Sequence, residues 1–266
     1  MDRFDEEDQN EGGFLIAERR DKILAYIAGK GKVKVEDLSK EFGVSEVTIR
    51  RDLASLDREG LIERTHGGAV PNHKSRFELS FEQKYQKNID VKIRIAEQAL
   101  GLIEDGDAIM LDSGTTTFQL AKRLGVKKNL TVVTNAINMI PELRGIPDVS
   151  LVLLGGTYKP TSEATIGPMA INNLKEIHVD KLFLGCNSFT IEGGLMTADM
   201  IDAESRKAMI NASEQVIVLA DSSKFGKISF VSLANIEQID LIITDKGLDA
   251  KMFQAIKEKG IDIVLV

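Results

Sequence analysis

Two adjacent arginines, Arg50 and Arg51, stand in the segment GVSEVTIRRDL, and guanidinium groups commonly bind guanine edges and phosphate oxygens of DNA. The chain as a whole is acidic, with a formal net charge of −7 over 266 residues. That charge is unevenly spread, because residues 1–13 carry −5 and residues 14–75 carry +2. Since a phosphate responds to nearby charge, the basic segment is a candidate nucleic-acid surface.

Three helices are predicted to position these arginines. Apolar residues at helical spacing indicate helices over residues 16–30, 35–42 and 46–59. Gly43 suits the end of the second helix, and Ser45 is a good N-cap for the third. Only about three residues separate these two helices, which is the spacing of a helix-turn-helix.

The third predicted helix has one apolar side and one side suited to DNA. At 100° per residue, Ile49, Leu53 and Leu56 share the buried side. The outward side and its flanks comprise Val47, Thr48, Arg50, Arg51, Ala54, Ser55 and Arg58. Methyl, hydroxyl and guanidinium groups match thymine methyls, base edges and phosphates in a major groove. Both base contact and phosphate contact remain open for Arg51.

A β-hairpin is predicted after this helix, with strands near residues 61–64 and 69–70 and a turn at His66-Gly67-Gly68. Such a wing would lie beside the minor groove or the DNA backbone. The predicted DNA-binding residues are therefore Ser45, Val47, Thr48, Arg50, Arg51, Arg58, Arg64, His66 and Gly67. The competing interpretation is a three-helix protein-interaction module whose arginines form a solvated face.

The stretch from Arg19 to Val70 resembles the winged helix-turn-helix of the DeoR family of bacterial transcriptional regulators. The family signature combines VS..TIRRDL with R.HGGA, and both halves are present here. The resemblance extends over roughly residues 16–266. It implies a repressor of a sugar catabolism or uptake operon, bound to double-stranded operator DNA as a dimer or tetramer.

The remainder of the chain predicts an α/β domain, so the fold class is α/β overall. Short apolar runs alternate with helical stretches, which favours a mostly parallel sheet covered on both faces. The predicted strands are 108–111, 130–134, 150–154, 181–185, 215–220, 240–244 and 262–266. The predicted helices lie near 91–104, 115–124, 135–143, 168–176, 201–212 and 249–259.

Polar residues follow several of these strands, where ligands bind in open α/β sheets. Hydroxyl groups and N–H groups after residue 111 meet a helix terminus, an arrangement that binds phosphate. An acid and a lysine after the strand at 215–220 could bind a sugar hydroxyl and a phosphate. The predicted effector-binding residues are Asp112, Ser113, Gly114, Thr115, Thr116, Thr134, Asn135, Gly155, Gly156, Asn187, Asp221 and Lys224. The alternative is that these residues only cap helices and turns.

The family resemblance also implies a function for this domain. The C-terminal part of DeoR regulators is similar in fold to ribose-5-phosphate isomerase and glucosamine-6-phosphate deaminase, and it senses phosphorylated sugars. By resemblance, residues 112–117 form the phosphate-proximal loop, and Asp221 and Lys224 match positions associated with inducer response. The rival hypothesis is a sugar-phosphate isomerase or deaminase with an appended DNA-binding domain, using Asp112, Asp221 or Glu204 as a base.

The sequence predicts four regions: a disordered acidic tail over 1–14, the DNA-binding domain over 15–70, a linker over 71–90 and an effector-sensing domain over 91–266. Cys186 is the single cysteine, so no internal disulfide is expected. No apolar run approaches the ~20 residues that cross a bilayer, and the N-terminus is acidic where a signal peptide would be basic. We expect a cytoplasmic protein without a membrane partner, cofactor or metal.

Overall fold

The computed structural model describes residues 7–59, 61–71 and 79–266, apart from the side chains of residues 7–15, 17, 28, 29 and 71. The chain divides into two compact units, residues 1–77 and 78–266. The first corresponds to the predicted helix-turn-helix, and the second to the predicted α/β domain.

The N-terminal unit combines three helices with a small antiparallel sheet. Its elements are α1 (Glu7–Lys30), β1 (Val33–Lys34), α2 (Val35–Phe42), α3 (Glu46–Arg58), β2 (Ile62–Thr65) and β3 (Gly68–Pro71). The strand order is β1-β3-β2. Apolar side chains from all three helices and from the sheet form one core, which includes Ile23, Leu38, Ile49, Leu53 and Ile62. The predicted helix-turn-helix and wing are both present.

Two features of this unit differ from the prediction. Helix α1 begins at Glu7, so residues 7–14 are helical rather than part of a disordered tail, and residues 1–6 lie outside the described residues. The sequence analysis assigned no strand between the first two helices, but Val33 and Lys34 form a third strand that pairs with β3. A two-residue strand is too short to give a periodic signal.

The wing requires glycine at positions 67 and 68 for two different structural reasons. Gly67 has φ +90°, a conformation that L-residues with side chains rarely adopt. Gly68 pairs with Lys34 of β1, and a Cβ atom there would lie 1.9 Å from the carbonyl oxygen of Val33. The HGG sequence therefore permits both the turn and the close approach of the third strand.

A seven-stranded sheet forms the centre of the C-terminal unit. Its order is β15-β14-β12-β9-β4-β5-β6, and every neighbouring pair is parallel. The strands are β4 (Ala108–Leu111), β5 (Leu130–Thr134), β6 (Val149–Leu153), β9 (Val179–Leu184), β12 (Ser213–Leu219), β14 (Leu241–Thr244) and β15 (Asp262–Leu265). These are the seven strands that the sequence predicted, within two residues at either end.

The helices and minor strands complete this unit. The helices are α4 (Phe81–Tyr85), α5 (Ile89–Leu100), α6 (Thr115–Ala121), α7 (Ile140–Leu143), α8 (Pro168–Leu174), α9 (Met200–Asn211) and α10 (Ala250–Glu258). Strands β7 (Thr157–Lys159) and β8 (Ala164–Ile166) form a hairpin, and β10 (Ser188–Thr190), β11 (Gly194–Thr197) and β13 (Val231–Ala234) form a three-stranded antiparallel sheet. These five strands were not predicted from the sequence, because each is only three or four residues long.

The segment predicted as a linker is partly folded onto the C-terminal unit. Phe81 of α4 is only 8% exposed, and its ring lies 5.4 Å from that of Phe118 and 5.8 Å from that of Tyr85. Ser80 caps α4 with a reciprocal capping box to Gln83. Residues 79–90 therefore pack against α6 because their aromatic side chains bury there, and residues 72–78 lie outside the described residues.

Candidate functional site

Helix α3 presents the predicted outward face to solvent. Ser45 caps the helix, since its hydroxyl oxygen accepts a hydrogen bond from the Thr48 amide at 3.2 Å. Val47 is 60% exposed, and Arg51 and Arg58 are also exposed. The opposite face is buried as predicted, and it holds Ile49, Leu53 and Leu56.

Three polar residues of α3 differ in their surroundings. Ser55 is buried and donates to Glu59 at 3.0 Å, so it does not belong to the outward flank. Arg50 is exposed, but its guanidinium pairs with Glu46 at 2.9 Å. Within the described part of the chain Arg51 has no ion pair or hydrogen bond, so its guanidinium is available to a nucleic acid.

A buried carboxylate that the sequence analysis missed connects α3 to α1. Asp52 is 2% exposed and accepts from Arg19 at 2.7 Å and from Arg20 at 3.1 Å. Arg19 lies 33 residues before Asp52 in the sequence and Arg20 lies 32 residues before it, so no local sequence pattern relates them. This contact fixes the orientation of α3 within its unit.

The wing residues are exposed at the end of the hairpin. Arg64, His66 and Gly67 all face solvent. The backbone amide of Arg64 donates to the Asp57 carboxylate at 3.2 Å, which holds the first wing strand against the end of α3. The unit therefore exposes every predicted DNA-binding residue at least partly.

A cleft lies at the carboxyl ends of the central strands of the C-terminal unit, with about 490 Å³ of empty space including the part open to solvent. It is lined by Lys84, Ser113, Gly114, Thr115, Thr116, Ser162, Gly185, Cys186, Asn187, Asp202, Arg206, Leu219, Ala220 and Lys224. Six of the twelve predicted effector-binding residues are in this set: Ser113, Gly114, Thr115, Thr116, Asn187 and Lys224. Burial raises the pKa of the Cys186 thiol to about 12, so this cysteine stays a neutral thiol.

Asp112 is not in the lining, and its carboxylate is hydrogen-bonded to protein groups behind the lining. One oxygen accepts from the Gly114 amide at 2.9 Å and from the Thr117 hydroxyl at 2.8 Å. The other accepts from the Gly185 amide at 2.9 Å and from the Arg206 guanidinium at 2.6 Å. Asp112 is completely buried and holds the loop after β4 against the loop after β9.

Four other predicted residues also lie outside the lining. Thr134 donates to the Leu111 carbonyl at 2.8 Å, and the Asn135 amide donates to the Thr165 carbonyl at 2.9 Å. Gly155 donates to the Asn173 side chain, and a Cβ at Gly156 would meet the Ile166 carbonyl oxygen at 2.7 Å. Asn135 and Gly156 thus contact β8 of the hairpin, whereas Thr134 contacts β4 and Gly155 contacts α8.

Asp221 lies next to the cleft and is 2% exposed. It accepts from Asn88 at 3.0 Å and from the Ser223 amide at 3.1 Å. Burial alone would raise the pKa of Asp221, but the charge of Lys224 and the hydrogen bonds from Ser223 and Asn88 outweigh it and lower the pKa. The carboxylate is therefore ionised and serves as the partner of nearby lysines.

Several lysines around Asp221 were missed by the sequence analysis. Burial and, next to it, the charge of Lys224 lower the pKa of Lys92 to about 8. Burial and Lys224 also lower the pKa values of Lys87 and Lys227. Together with Lys84 in the cleft lining, these side chains form a group that we call the lysine cluster: Lys84, Lys87, Lys92, Lys224 and Lys227.

Mutual repulsion within the lysine cluster indicates a site that favours an anion. A bound anion would relieve the repulsion between the ammonium groups. Lys84 and Lys87 lie in the predicted linker and Lys92 in the predicted helix that follows it, so their closeness to Lys224 follows only from the packing of α4 and α5. Arg206, which also lines the cleft, pairs with Asp112 and lies 3.6 Å from Asp202.

Other site types find no support in the described residues. Among them, no three His, Cys, Asp or Glu side chains are grouped so that they could hold a metal ion. No helix of the described chain has both the length and the apolar character needed to cross a membrane.

Known proteins resemble this chain over nearly its whole length. Residues 19–75 match the DeoR-like helix-turn-helix domain, and residues 87–246 match the DeoR C terminal sensor domain. The uncharacterized HTH-type transcriptional regulator YulB of Bacillus subtilis (strain 168) is 36% identical, over 95% of this chain and 97% of its own. A putative aga operon transcriptional repressor of Escherichia coli O157:H7 is 35% identical, over 94% of each chain.

Among solved structures, ribose 5-phosphate isomerase A from Methanocaldococcus jannaschii aligns with a TM-score of 0.39 and 20% identity, over 52% of this chain and 55% of that chain. The two domain matches and the long relatives confirm the resemblance seen in the sequence. The chain belongs to the DeoR family of helix-turn-helix transcriptional regulators.

Proposed function

We propose that this regulator represses a sugar catabolism or uptake operon and that a phosphorylated sugar, bound in the cleft, controls its affinity for operator DNA. The relative described as an aga operon repressor supports the direction of control. The observation that carries the effector assignment is the cleft itself, where Lys84, Lys224 and Arg206 share the lining with four residues of the loop after β4. Cations and hydroxyl groups together suit a ligand with both a phosphate and sugar hydroxyls.

The DNA-binding role is assigned to the exposed face of α3 and to the wing. Val47 supplies an apolar group for thymine methyls, and Arg51 supplies a guanidinium that pairs with no acid among the described residues. Arg50 must exchange Glu46 for a phosphate, which is a modest change because both side chains are about half exposed. Arg64 and His66 are assigned to the DNA backbone or the minor groove.

The effector role is assigned to Ser113, Gly114, Thr115, Thr116, Asn187 and Lys224, which line the cleft, with Asp221 acting through the lysines. We assign structural roles to the remaining predicted residues, since their polar groups hold neighbouring loops together. Asp112 belongs with these because all four hydrogen bonds to its oxygens come from the protein.

The carboxylates near the cleft are all engaged by other protein groups, which favours a site that binds a ligand without catalysing a reaction. A proton-transfer enzyme needs a free base beside its substrate. Asp112 is saturated with donors, and Asp221 is engaged by Asn88 and Ser223. Asp202, the carboxylate in the lining, accepts from the Thr197 hydroxyl at 3.0 Å and lies 3.6 Å from Arg206 Nε. Glu204 is exposed and pairs with Lys207 at 2.9 Å. A turnover assay with ribose 5-phosphate and glucosamine 6-phosphate tests this assignment, and product formation would contradict it.

A pair of subunits is the proposed binding form. One winged helix-turn-helix buries a modest area on DNA, so two recognition helices spaced about one helical turn apart would read a palindromic operator. Analytical ultracentrifugation of the full chain with and without operator DNA would reveal the assembly. The DNA target is consistent with the cytoplasmic location expected from the sequence.

The experiment for the DNA-binding role removes two positive charges from α3. Arg50→Ala/Arg51→Ala should abolish specific binding to a duplex that the wild-type chain selects from a random library. Arg94→Ala/Arg144→Ala, which removes two exposed arginines of the other unit, is the matched control and should bind like the wild type. Equal binding by both double variants would reject the assignment, and the wild-type affinity should fall steeply with salt.

A further inference from the structure

One buried hydroxyl in the cleft has no hydrogen-bond partner. Ser162 lies in the turn between β7 and β8 and is 5% exposed, and its Oγ has no partner within the described protein. The same residue lines the cleft together with the loop after β4 and Lys224. The sequence analysis did not single out this residue, because a serine in a turn is common.

Comparison with the other buried polar atoms isolates Ser162. Unpartnered buried side-chain atoms in the described chain belong to Gln119, Asn135, Asn138, Thr161, Ser162, Ser188 and Thr244. Of these residues, Ser162 alone contributes to the cleft lining. Buried polar groups are nearly always hydrogen-bonded, and one that faces a cavity can take its partner from a molecule bound there.

The β7–β8 turn is held firmly enough to present this hydroxyl. The Ser162 amide donates to the Lys159 carbonyl at 3.3 Å, and the Ile137 amide donates to the Glu163 carbonyl at 2.9 Å. Thr165 fastens the following strand, since its hydroxyl donates to the Leu154 carbonyl at 2.6 Å. Glu163 has φ +52°, a left-handed conformation that costs free energy and that these contacts maintain.

We infer that Ser162 is a specificity-determining residue of the effector site and that its hydroxyl binds a hydroxyl group of the sugar, not the phosphate. The inference rests on the proposed effector function. Charged groups in the lining, Lys84 and Lys224, provide for the phosphate. A neutral hydroxyl both donates and accepts, which matches a sugar hydroxyl. Sites that bind a ligand hydroxyl through buried polar groups discriminate strongly against ligands that lack it.

The inference predicts that Ser162→Ala separates stability from affinity. Without a ligand, the variant should be as stable as the wild type or slightly more stable, because the change removes a buried unpartnered hydroxyl. Its affinity for the sugar phosphate that binds the wild type most tightly should fall about tenfold, the usual effect of one neutral hydrogen bond. Its affinity for inorganic phosphate should not change.

The test uses the full chain in thermal denaturation and isothermal titration calorimetry. The ligands are inorganic phosphate, ribose 5-phosphate, fructose 6-phosphate and glucosamine 6-phosphate. Ser188→Ala is the matched control, since Ser188 is 3% exposed and its hydroxyl is also unpartnered but lies outside the lining. This control should gain similar stability and keep wild-type affinity for every ligand.

The possible failures point to different claims. If the wild type binds neither inorganic phosphate nor any sugar phosphate, the proposed effector function fails and this inference fails with it. If phosphate binds but no sugar phosphate binds more tightly, or if Ser162→Ala leaves the sugar-phosphate affinity unchanged, only the inference is overturned. A variant that loses stability and affinity for all ligands together would show a structural role for Ser162 and would also overturn it.

Discussion

Replacing Asp112 with asparagine removes one charge and one acceptor oxygen while it keeps the shape of the side chain. The native carboxylate accepts four hydrogen bonds, two on each oxygen, from Gly114, Thr117, Gly185 and Arg206. An asparagine amide must turn its NH₂ group toward one of these pairs of donors. Either orientation leaves at least one buried N–H group facing another donor.

The size of the effect follows from the burial of the pair. Arg206 is 6% exposed, so its guanidinium cannot regain water when Asp112 is neutralised. Removing one partner of a buried ion pair typically costs about 3–5 kcal/mol. Asp202, 3.6 Å from Arg206 Nε, still offers partial compensation. We therefore expect the free energy of unfolding to fall by about 3 kcal/mol, the lower end of that range.

Urea denaturation followed by far-ultraviolet circular dichroism is the assay, with the transition of the C-terminal unit fitted separately. Asp245→Asn is the matched control. Asp245 is 8% exposed and accepts from the amide and hydroxyl of Ser222 and from the Gly247 amide, but it has no ion pair in the described chain. It should lose about 1–3 kcal/mol. A loss for Asp112→Asn no larger than that for Asp245→Asn would refute the reasoning.

Three further predictions concern the wing, the lysine cluster and the support of α3. Gly68→Ala should lower the free energy of unfolding of the N-terminal unit by at least about 1–3 kcal/mol, because the added Cβ would meet the backbone of β1. Gly145→Ala is the control, since a Cβ at Gly145 would point into open space, and the same denaturation experiment should show little change. Because burial lowers the pKa of Lys92 to about 8, its ammonium loses its proton as the pH rises through that value. The affinity for ribose 5-phosphate, measured by calorimetry, should therefore fall between about pH 7 and about pH 9, a range in which the ligand's phosphate is ionised. Lys92→Gln should flatten this pH profile, and a flat wild-type profile would contradict the prediction. Asp52→Asn should cost about 1.5–3 kcal/mol of unfolding free energy and weaken operator binding, since the two arginines of α1 lose the negative charge and one of the two acceptor oxygens between them; unchanged denaturation and binding would remove Asp52 from the account.

The sequence predicted those parts of the fold that local patterns determine. Gly43 identified the end of α2 as its C-cap, and Ser45 identified the start of α3 as its N-cap. Apolar runs identified all seven strands of the parallel sheet, although only the five inner strands are largely buried and the edge strands β6 and β15 are partly exposed. The loop after β4 was recognised from its hydroxyl groups, and four of its residues line the cleft.

The parts that sequence reasoning missed depend on contacts between distant residues. Asp112 and Arg206 are 94 residues apart, and no spacing rule connects them. Lys84 lies in a polar stretch that reads as a linker, and the burial of Phe81 against Phe118 brings it to the cleft. Ser162 carries no signal of its own, since what distinguishes it is the absence of a partner in the folded protein.

The most direct test of the central claim is an anisotropy titration of labelled operator duplex, repeated with each sugar phosphate that binds the protein. A bound sugar phosphate should weaken wild-type DNA binding by about 5-fold to about 150-fold, the usual range of coupling between two sites. Lys224→Ala should bind the duplex normally and lose this response. If every sugar phosphate that occupies the cleft leaves the DNA affinity unchanged, the cleft does not control the recognition helix and the account is wrong.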